Sequence, residues 1–511
     1  MSEKSPAMIE TQSIAPLRTG SNCWRIEHAT RASVIIDAAD YFTAARAAML
    51  NARHRIMLVG WDFDTRIELD HDGDAADAQT VGDFIYSLVE RTPGLEIFLL
   101  RWDMGALKAL SRGTTVLTLM KWMTHARIHT KLDSSHPTGA SHHQKIVVID
   151  DFFAFCGGID MTGARWDTRA HRDDPSGRIE PDGTPYPPWH DATSAVQGPA
   201  AAALGDLCRD RWQRAGAPPL DPVPAVTECW PEGLPVDFEG IDIAIARSEP
   251  EMPDRPAVLE IEQLYLDQIR GAKRFIYAES QYFASRRIAE AIGLRLDEDD
   301  GPEIVIINPL TANGWLEPLA MDTARARLHE ALRRRDTHGR LRIYHPFTDA
   351  GEPVYVHAKI LIVDDDVLRV GSSNMNNRSL RLDTECDIAI DGRHGGNTAR
   401  VAAIRAIRDG LIAEHLGEPA ERIALAIDSC GSLIQTIETM RHAGNRLRPY
   451  VVPDLDGVET WLADNEVLDP EGPGEMFEPL TQRGLLRGLF VRRQNRRALK
   501  AQAAAKPVTP S

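Results

Sequence analysis

A chain of 511 residues with 43% apolar content and a formal charge of −17 is long enough for two sizeable domains or two pseudo-repeats around one core. Its acidity argues against a nonspecific grip on nucleic acid, which needs basic surface to neutralise phosphates. Its six cysteines (Cys23, Cys156, Cys208, Cys229, Cys386, Cys430) lack C-x-x-C or C-x-x-H spacing, which indicates neither a disulfide framework nor a zinc site and fits a reducing compartment.

A polar arm, 1–30, without an apolar run behind a basic start, predicts no secretory leader. Helical spacing over Ala38–Ala52 leads into the apolar strand Ile56–Val59, which ends in Gly60-Trp61-Asp62. Strand Leu95–Leu100 and a helical stretch follow. Then His142-His143-Gln144-Lys145 enters the apolar strand Ile146–Ile149, closed by Asp150 and, past it, Gly157-Gly158-Ile159-Asp160. The segment Ala164–Tyr186, rich in charge, Gly and Pro, predicts a long loop that covers or borders a site.

Pro218, Pro219, Pro222, Pro224, Pro231 and Pro235 mark an extended crossover, after which the order repeats. Helical spacing over Ala257–Gly271 precedes strand Phe275–Ala278, which ends in Glu279-Ser280-Gln281. Strand Glu303–Ile307 and a helical stretch come next, then His357-Ala358-Lys359, strand Ile360–Val363, Asp364 and Gly371-Ser372-Ser373-Asn374. At the far end Thr481–Ser511 has no acidic residue. Its Arg483, Arg487, Arg492 and Arg493, with Leu485, Leu486, Leu489 and Phe490 at helical spacing, predict a basic amphipathic helix suited to anionic lipid or to this protein's own acidic surface. No stretch reaches the ~20 apolar residues of a membrane span.

The phrase His-x-Lys-x-x-x-x-Asp thus occurs twice, with the same distance from Asp to the next Gly. Pooling Lys with Arg and Asp with Glu, this composition gives about 0.3 chance matches, so two copies mark one unit used twice. In each copy the His and Lys lie two apart at a strand end and share a face; His142 points to the opposite face as a hydrogen-bonded neighbour. A neutral imidazole attacks phosphorus, an imidazolium protonates a leaving oxygen, and two ammonium groups clamp a phosphate. Such a set requires no metal and no cofactor.

The paired motifs 142–150 and 356–364, with G-G-I-D-M-T-G-A-R-W-D (157–167), P-W-H-D (188–191), G-P-A-A (198–201), Y-A-E-S-Q-Y-F (277–283) and G-S-S-N-M-N-N-R-S (371–379), resemble the phospholipase D superfamily. The resemblance implies an α/β fold of two pseudo-repeated halves, each a mixed β-sheet flanked by helices, forming one shared active site. The expected division is an arm (1–30), a first half (31–216), the crossover (217–236), a second half (237–425) and a C-terminal extension (426–511). It further implies that His143 attacks phosphorus to form a phosphohistidine while His357 protonates the departing alcohol, the swapped assignment being the alternative. Lys145 and Lys359 clamp the phosphate. Glu385 is the expected support for His143, and Asp191, otherwise a turn-capping Asp, for His357.

Asp150 and Asp364 are expected to be structural. Asn374 with Ser372 or Ser373 is expected to donate to phosphate oxygens, Asp160 holds the place where many relatives have Asn, and Trp166 lines a head-group or acyl pocket or simply packs in the wall. The activity implied is hydrolysis of a glycerophospholipid to phosphatidate and free head group, with transfer to an alcohol. A cardiolipin-synthase-like transferase, another phosphodiesterase or nuclease, and a lipid-binding scaffold are the alternatives. The expected partners are a phospholipid substrate and a membrane surface, with no nucleic acid; a monomer in the cytoplasm or at the inner membrane surface fits, the oligomeric state being open.

Overall fold

The computed structural model describes residues 16–69, 79–103, 115–224, 227–312, 321–393, 398–441 and 446–452; the basic tail 481–511 lies outside them. The first half contributes strands β1 (Arg25–Ile36), β2 (Arg55–Gly60), β3 (Glu96–Trp102), β4 (Ile128–Asp133), β5 (Ile146–Ile149), β6 (Phe153–Gly157), β7 (Trp189–His190) and β8 (Ala192–Gln197). The second contributes β9 (Phe238–Glu249), β10 (Val258–Leu259), β11 (Phe275–Glu279), β12 (Glu303–Ile307), β13 (Leu341–Pro346), β14 (Tyr355–Val356), β15 (Ile360–Val363), β16 (Val367–Gly371), β17 (Glu385–Asp391) and β18 (Leu447–Pro449).

Sixteen of these described strands share one sheet. At its centre β1 and β9 pair antiparallel. Outward from β1 the order is β8-β6-β5-β2-β3-β4, and outward from β9 it is β17-β16-β15-β11-β12-β13. The orientations match position by position: β2, β3 and β4 run parallel, as do β11, β12 and β13, and the inner pairs are antiparallel on both sides. The duplication in the sequence is therefore a pseudo-twofold in the fold, with its axis at the β1–β9 seam.

Every residue of β5 (Ile-Val-Val-Ile) and β15 (Ile-Leu-Ile-Val) is buried. Continuous apolar runs of this kind belong to strands covered on both faces. Helix Pro199–Arg214 covers the first half with Ala200, Leu204, Leu207 and Trp212, and helix Thr398–Leu416 covers the second with Ile404, Leu411, Ile412 and Leu416.

Beyond each motif strand the chain turns through two left-handed residues, Asp150 and Asp151 (φ 51° and 51°) and Asp364 and Asp365 (φ 56° and 64°). The Asp150 carboxylate accepts the backbone N–H groups of Arg53, His54 and Arg55 at 2.6–2.8 Å, and Asp364 accepts those of Lys273, Arg274 and Phe275 at 2.7–2.9 Å. Each thus ties its hairpin to the start of the neighbouring strand, at the end remote from His143 and His357.

Two boundaries differ from the sequence reading. Strand β1 starts at Arg25, inside the segment taken as an arm, because its first half alternates partly exposed polar residues with others and shows no apolar run. Strand β18 pairs with β13 and helix Ala420–Cys430 continues past residue 425, so part of the segment taken as an extension completes the second half. No described helix is long and apolar enough to cross a membrane.

Candidate active site

The two motif histidines meet at the seam, and each is held by the half it does not belong to. The backbone N–H of His143 donates to the Thr384 carbonyl (2.9 Å), and that of His357 donates to the His190 carbonyl (2.7 Å). The side chains follow: His143 Nδ1 lies 3.0 Å from both oxygens of Glu385, and His357 Nδ1 lies 2.7 Å from Asp191 Oδ2. Glu385 opens β17 and Asp191 directly precedes β8, equivalent places in the two halves.

His143 Nδ1 is also 3.1 Å from the Ser372 carbonyl. A carbonyl only accepts, so Nδ1 carries the proton and Nε2 keeps a free lone pair. Lys145 Nζ donates to the His143 carbonyl (2.8 Å) and faces Asp160 Oδ2 (3.2 Å); Lys359 donates to the His357 carbonyl. Both lysines are buried.

Burial, with Lys145 and Lys359, holds His143 well below the ordinary histidine range. Burial and Lys359 do the same to His357, against the opposing pull of Asp191. Burial also lowers Lys359 to about 7, with Lys145 adding to the fall. The two carboxylates diverge. Burial raises Glu385 to about 8 despite Lys145, whereas burial of Asp191 is overcome by His357, Lys359 and the Ala192 N–H, which hold it below the usual carboxylate range. An ionised partner stabilises an imidazolium, and a neutral partner favours a neutral ring. Both rings are thus held toward the neutral form, and they differ in the carboxylate behind each, ionised behind His357 and raised toward neutrality behind His143.

A family profile described as "Phospholipase D" matches residues 48–287, and one described as "Cardiolipin synthase, PLD-like domain" matches 265–403, so together they span both motifs. The chain is 26% identical to "Phospholipase D alpha 1" of Vigna unguiculata over 514 aligned positions, covering 72% of this chain and 63% of that protein. The same protein of Carica papaya is 26% identical with the same coverage. This chain belongs to the phospholipase D superfamily. It spans just under two thirds of the length of those plant phospholipases D. The crystal structure of phosphatidylserine synthase from Haemophilus influenzae Rd KW20 has the same fold, with a TM-score of 0.51 and 13% identity over 81% of this chain and 97% of that one.

The remaining residues of this phospholipase D-superfamily site are placed unevenly. Asn374 reaches Gln281 Oε1 through Nδ2 (3.3 Å), while its Oδ1 is buried without a partner. Ser372 and Ser373 do not aim hydroxyls at a phosphate position: Ser372 Oγ donates to Glu385 and Ser373 Oγ to Asp387. Their backbone N–H groups also go to Asp387 (3.0 and 3.1 Å), so carboxylates take up the donors that the glycine-started turn offered. Asp160 pairs with Lys145 and accepts the Trp61 N–H (3.1 Å), so its carboxylate is engaged within the protein.

Trp166 packs against Gly177, where a Cβ would meet its ring at 2.0 Å, and lines a cavity of about 250 Å³ with Phe42, Ile67, Arg165, Glu180 and Tyr186. None of the motif His or Lys residues lines that cavity. His142 bonds Thr384 Oγ1 (2.6 Å) and lies 3.1 Å from Asp133.

Two neighbours escaped the sequence reading as site residues. Trp189 lies 5.2 Å from the His357 ring and stacks on Tyr355 (4.6 Å). Arg165 lies over Trp189 (4.3 Å), and its charge lowers both His357 and Lys359. The signal was present in Arg165-Trp166-Asp167 and P-W-H-D, but nothing in the spacing says that these segments stack.

Proposed function

We propose that the protein is a phospholipase D, cleaving the distal phosphoester of a glycerophospholipid to phosphatidate and a free head group. The observation that carries this is the crossed arrangement of His143 with Glu385 and His357 with Asp191 around two buried lysines. His143 Nε2 attacks phosphorus, and the P–O bond to the head-group alcohol breaks as His357 gives that oxygen its proton. Phosphatidyl stays on His143. His357, now neutral, takes a proton from water or an alcohol, whose oxygen displaces His143. Lys145, Lys359 and Arg165 offset charge on the other phosphate oxygens, and Asn374 supplies a neutral donor at their edge.

The reading is supported by the two superfamily matches and by the likeness to plant phospholipases D. The acidic surface fits a lipid better than a nucleic acid. The protein acts peripherally at a membrane face, and the substrate reaches the seam from there.

The test is incubation with phosphatidylcholine, phosphatidylethanolamine and phosphatidylglycerol vesicles plus ethanol, beside His143→Ala, with lipids resolved by mass. Phosphatidate and phosphatidylethanol are expected with the intact protein only. Cardiolipin formed from phosphatidylglycerol, without phosphatidate, would instead make it a transferase, and no new lipid would sink the lipid substrate.

A second expectation concerns pH. Lys359 is a cation below about 7 and loses its proton above it, so the clamp weakens as pH rises. The kcat/KM profile is expected to fall through that region on its alkaline side. The Lys359→Arg variant, slower throughout, is expected to lack that fall, because a guanidinium stays charged. An unchanged fall in the variant would assign the titration elsewhere.

A further inference from the structure

Directly behind Asp191 lies a second polar cluster that the phosphoryl chemistry leaves unused. Asp37, just after β1, His171, in the segment between β6 and β7, His190, in β7, and Glu414, in helix Thr398–Leu416, converge there. One ligand atom from each lies within 4.8 Å of all the others. Their side chains are at most 4% exposed. Glu414 Oε1 is 2.8 Å from His190 Nδ1 and 3.1 Å from His171 Nε2, while Asp37 faces the same two nitrogens with different oxygens, Oδ1 at 3.2 Å from His190 Nδ1 and Oδ2 at 3.6 Å from His171 Nε2. These values bracket the ~3.3 Å edge of a tetrahedron with metal bonds of about 2.0 Å.

Three further observations separate this cluster from an ordinary buried ion-pair network. His190 Nδ1 lies 2.8 and 3.2 Å from two carboxylate oxygens without being aligned on either as a straight hydrogen bond, and Asp37 Oδ2 has no aligned hydrogen-bond partner; both atoms are buried. Each histidine turns its other ring nitrogen to a carboxylate outside the four: His171 Nδ1 to Asp167 Oδ2 (2.9 Å) and His190 Nε2 to Glu279 Oε2 (2.8 Å). That is how metal-bound imidazoles are oriented, with the far N–H given to a carboxylate. The two carboxylates are anchored in the same way, Asp37 Oδ1 by the Asp191 N–H (2.9 Å) and Glu414 Oε2 by Arg169 Nε (2.6 Å).

We propose that Asp37, His171, His190 and Glu414 hold a structural divalent metal ion of the zinc class. Two imidazoles and two carboxylates give a closed four-ligand shell with no position for water, which is a structural rather than a catalytic arrangement. Two neutral histidines and two carboxylates also balance the ion's charge. Three ligands come from the first half and Glu414 from the second, so the ion clips the halves together one residue from the carboxylate that orients His357. The four ligands come from four distant segments, so no sequence spacing could have displayed them.

The test is the metal content of the full chain, expressed with zinc in the medium and purified without chelator or polyhistidine tag, by plasma mass spectrometry. About one equivalent of zinc is expected. His171→Gln is expected to lose it, while His415→Gln, in the same buried cluster but outside the four, keeps it. Wild-type protein unfolded with chelator and refolded is expected to melt several degrees lower than protein refolded with zinc chloride. Should the His171→Gln chain not fold, the wild-type content and the refolding shift still decide.

Less than a tenth of an equivalent, with no gain in Tm from zinc, would overturn the proposal and leave the cluster bridged by protons on His171 and His190. An equivalent of calcium in place of zinc would overturn the assigned metal class. None of these readouts uses a lipid, so they stand or fall separately from the phospholipase reading.

Discussion

Replacing His357 by Ala is expected to lower turnover of a natural phospholipid by about 10⁴-fold, at the upper end of what one general acid–base group contributes. Two properties make this variant informative beyond the loss. The head-group alkoxide is a poor leaving group, and in the proposed mechanism it needs a proton that His357, backed by Asp191, supplies. A p-nitrophenyl ester needs none, so its first cleavage is expected to fall by only about tenfold. The second step still lacks its base. Phosphatidyl is therefore expected to accumulate on His143, seen as one added phosphatidyl mass on the intact protein after a stoichiometric burst of p-nitrophenol. His143→Ala gives neither burst nor adduct. An adduct on His357 in the His143→Ala chain would reverse the two roles, and with them the meaning given to the difference between Glu385 and Asp191.

Asp364→Ala is expected to cost about 3–5 kcal/mol of stability while leaving the chemistry of the folded fraction intact. The carboxylate accepts three backbone N–H groups within a buried turn, and hydrogen bonds to a charged acceptor contribute about 1.5–3 kcal/mol each. Alanine strands those donors and also sits poorly at φ 56°, where Asp and Asn are tolerated. Asn in its place keeps the turn and part of the bonding, so an intermediate loss is expected. Urea denaturation measures both variants. Initial rates corrected for folded fraction should match the wild type, and a specific loss of kcat would show that this motif residue reaches the chemistry after all.

The sequence carried the fold unevenly, for physical reasons. Strands β5 and β15 are covered on both faces and so are written as unbroken apolar runs; Ile146–Ile149 and Ile360–Val363 were legible to the residue. Strand β1 is as central, yet its opening residues Arg25–Thr30 are mixed polar and apolar because solvent reaches part of them. Strand β18 is three residues long and has no periodicity to read.

At the site, the His-Lys pairs announced themselves through repetition. The partners Glu385 and Asp191 needed the resemblance, since His143 and Glu385 stand 242 positions apart and nothing local links them. Ser372 and Ser373 were expected at the phosphate because a glycine-started turn exposes N–H and O–H groups. Asp387, which sequence proximity does not point to, takes up both hydroxyl and backbone donors of Ser373. Arg165 went unassigned for a similar reason: its place is fixed by stacking on Trp189, and stacking leaves no trace in spacing.

The exchange of partners across the β1–β9 seam has a consequence for how such a chain evolves. A duplicated unit normally frees one copy to drift while the other keeps the work. Here each copy carries a histidine whose orienting carboxylate belongs to its sibling, so a change at Asp191 is felt by His357 and one at Glu385 by His143. Silencing either copy is therefore expected to disable the other. What the exchange does permit is paired divergence, with Glu set against Asp in the orienting position and Asp160 against Asn374 beside the clamp. Two identical halves would hold two interchangeable histidines; in this chain Glu385 behind His143 and Asp191 behind His357 make the two different.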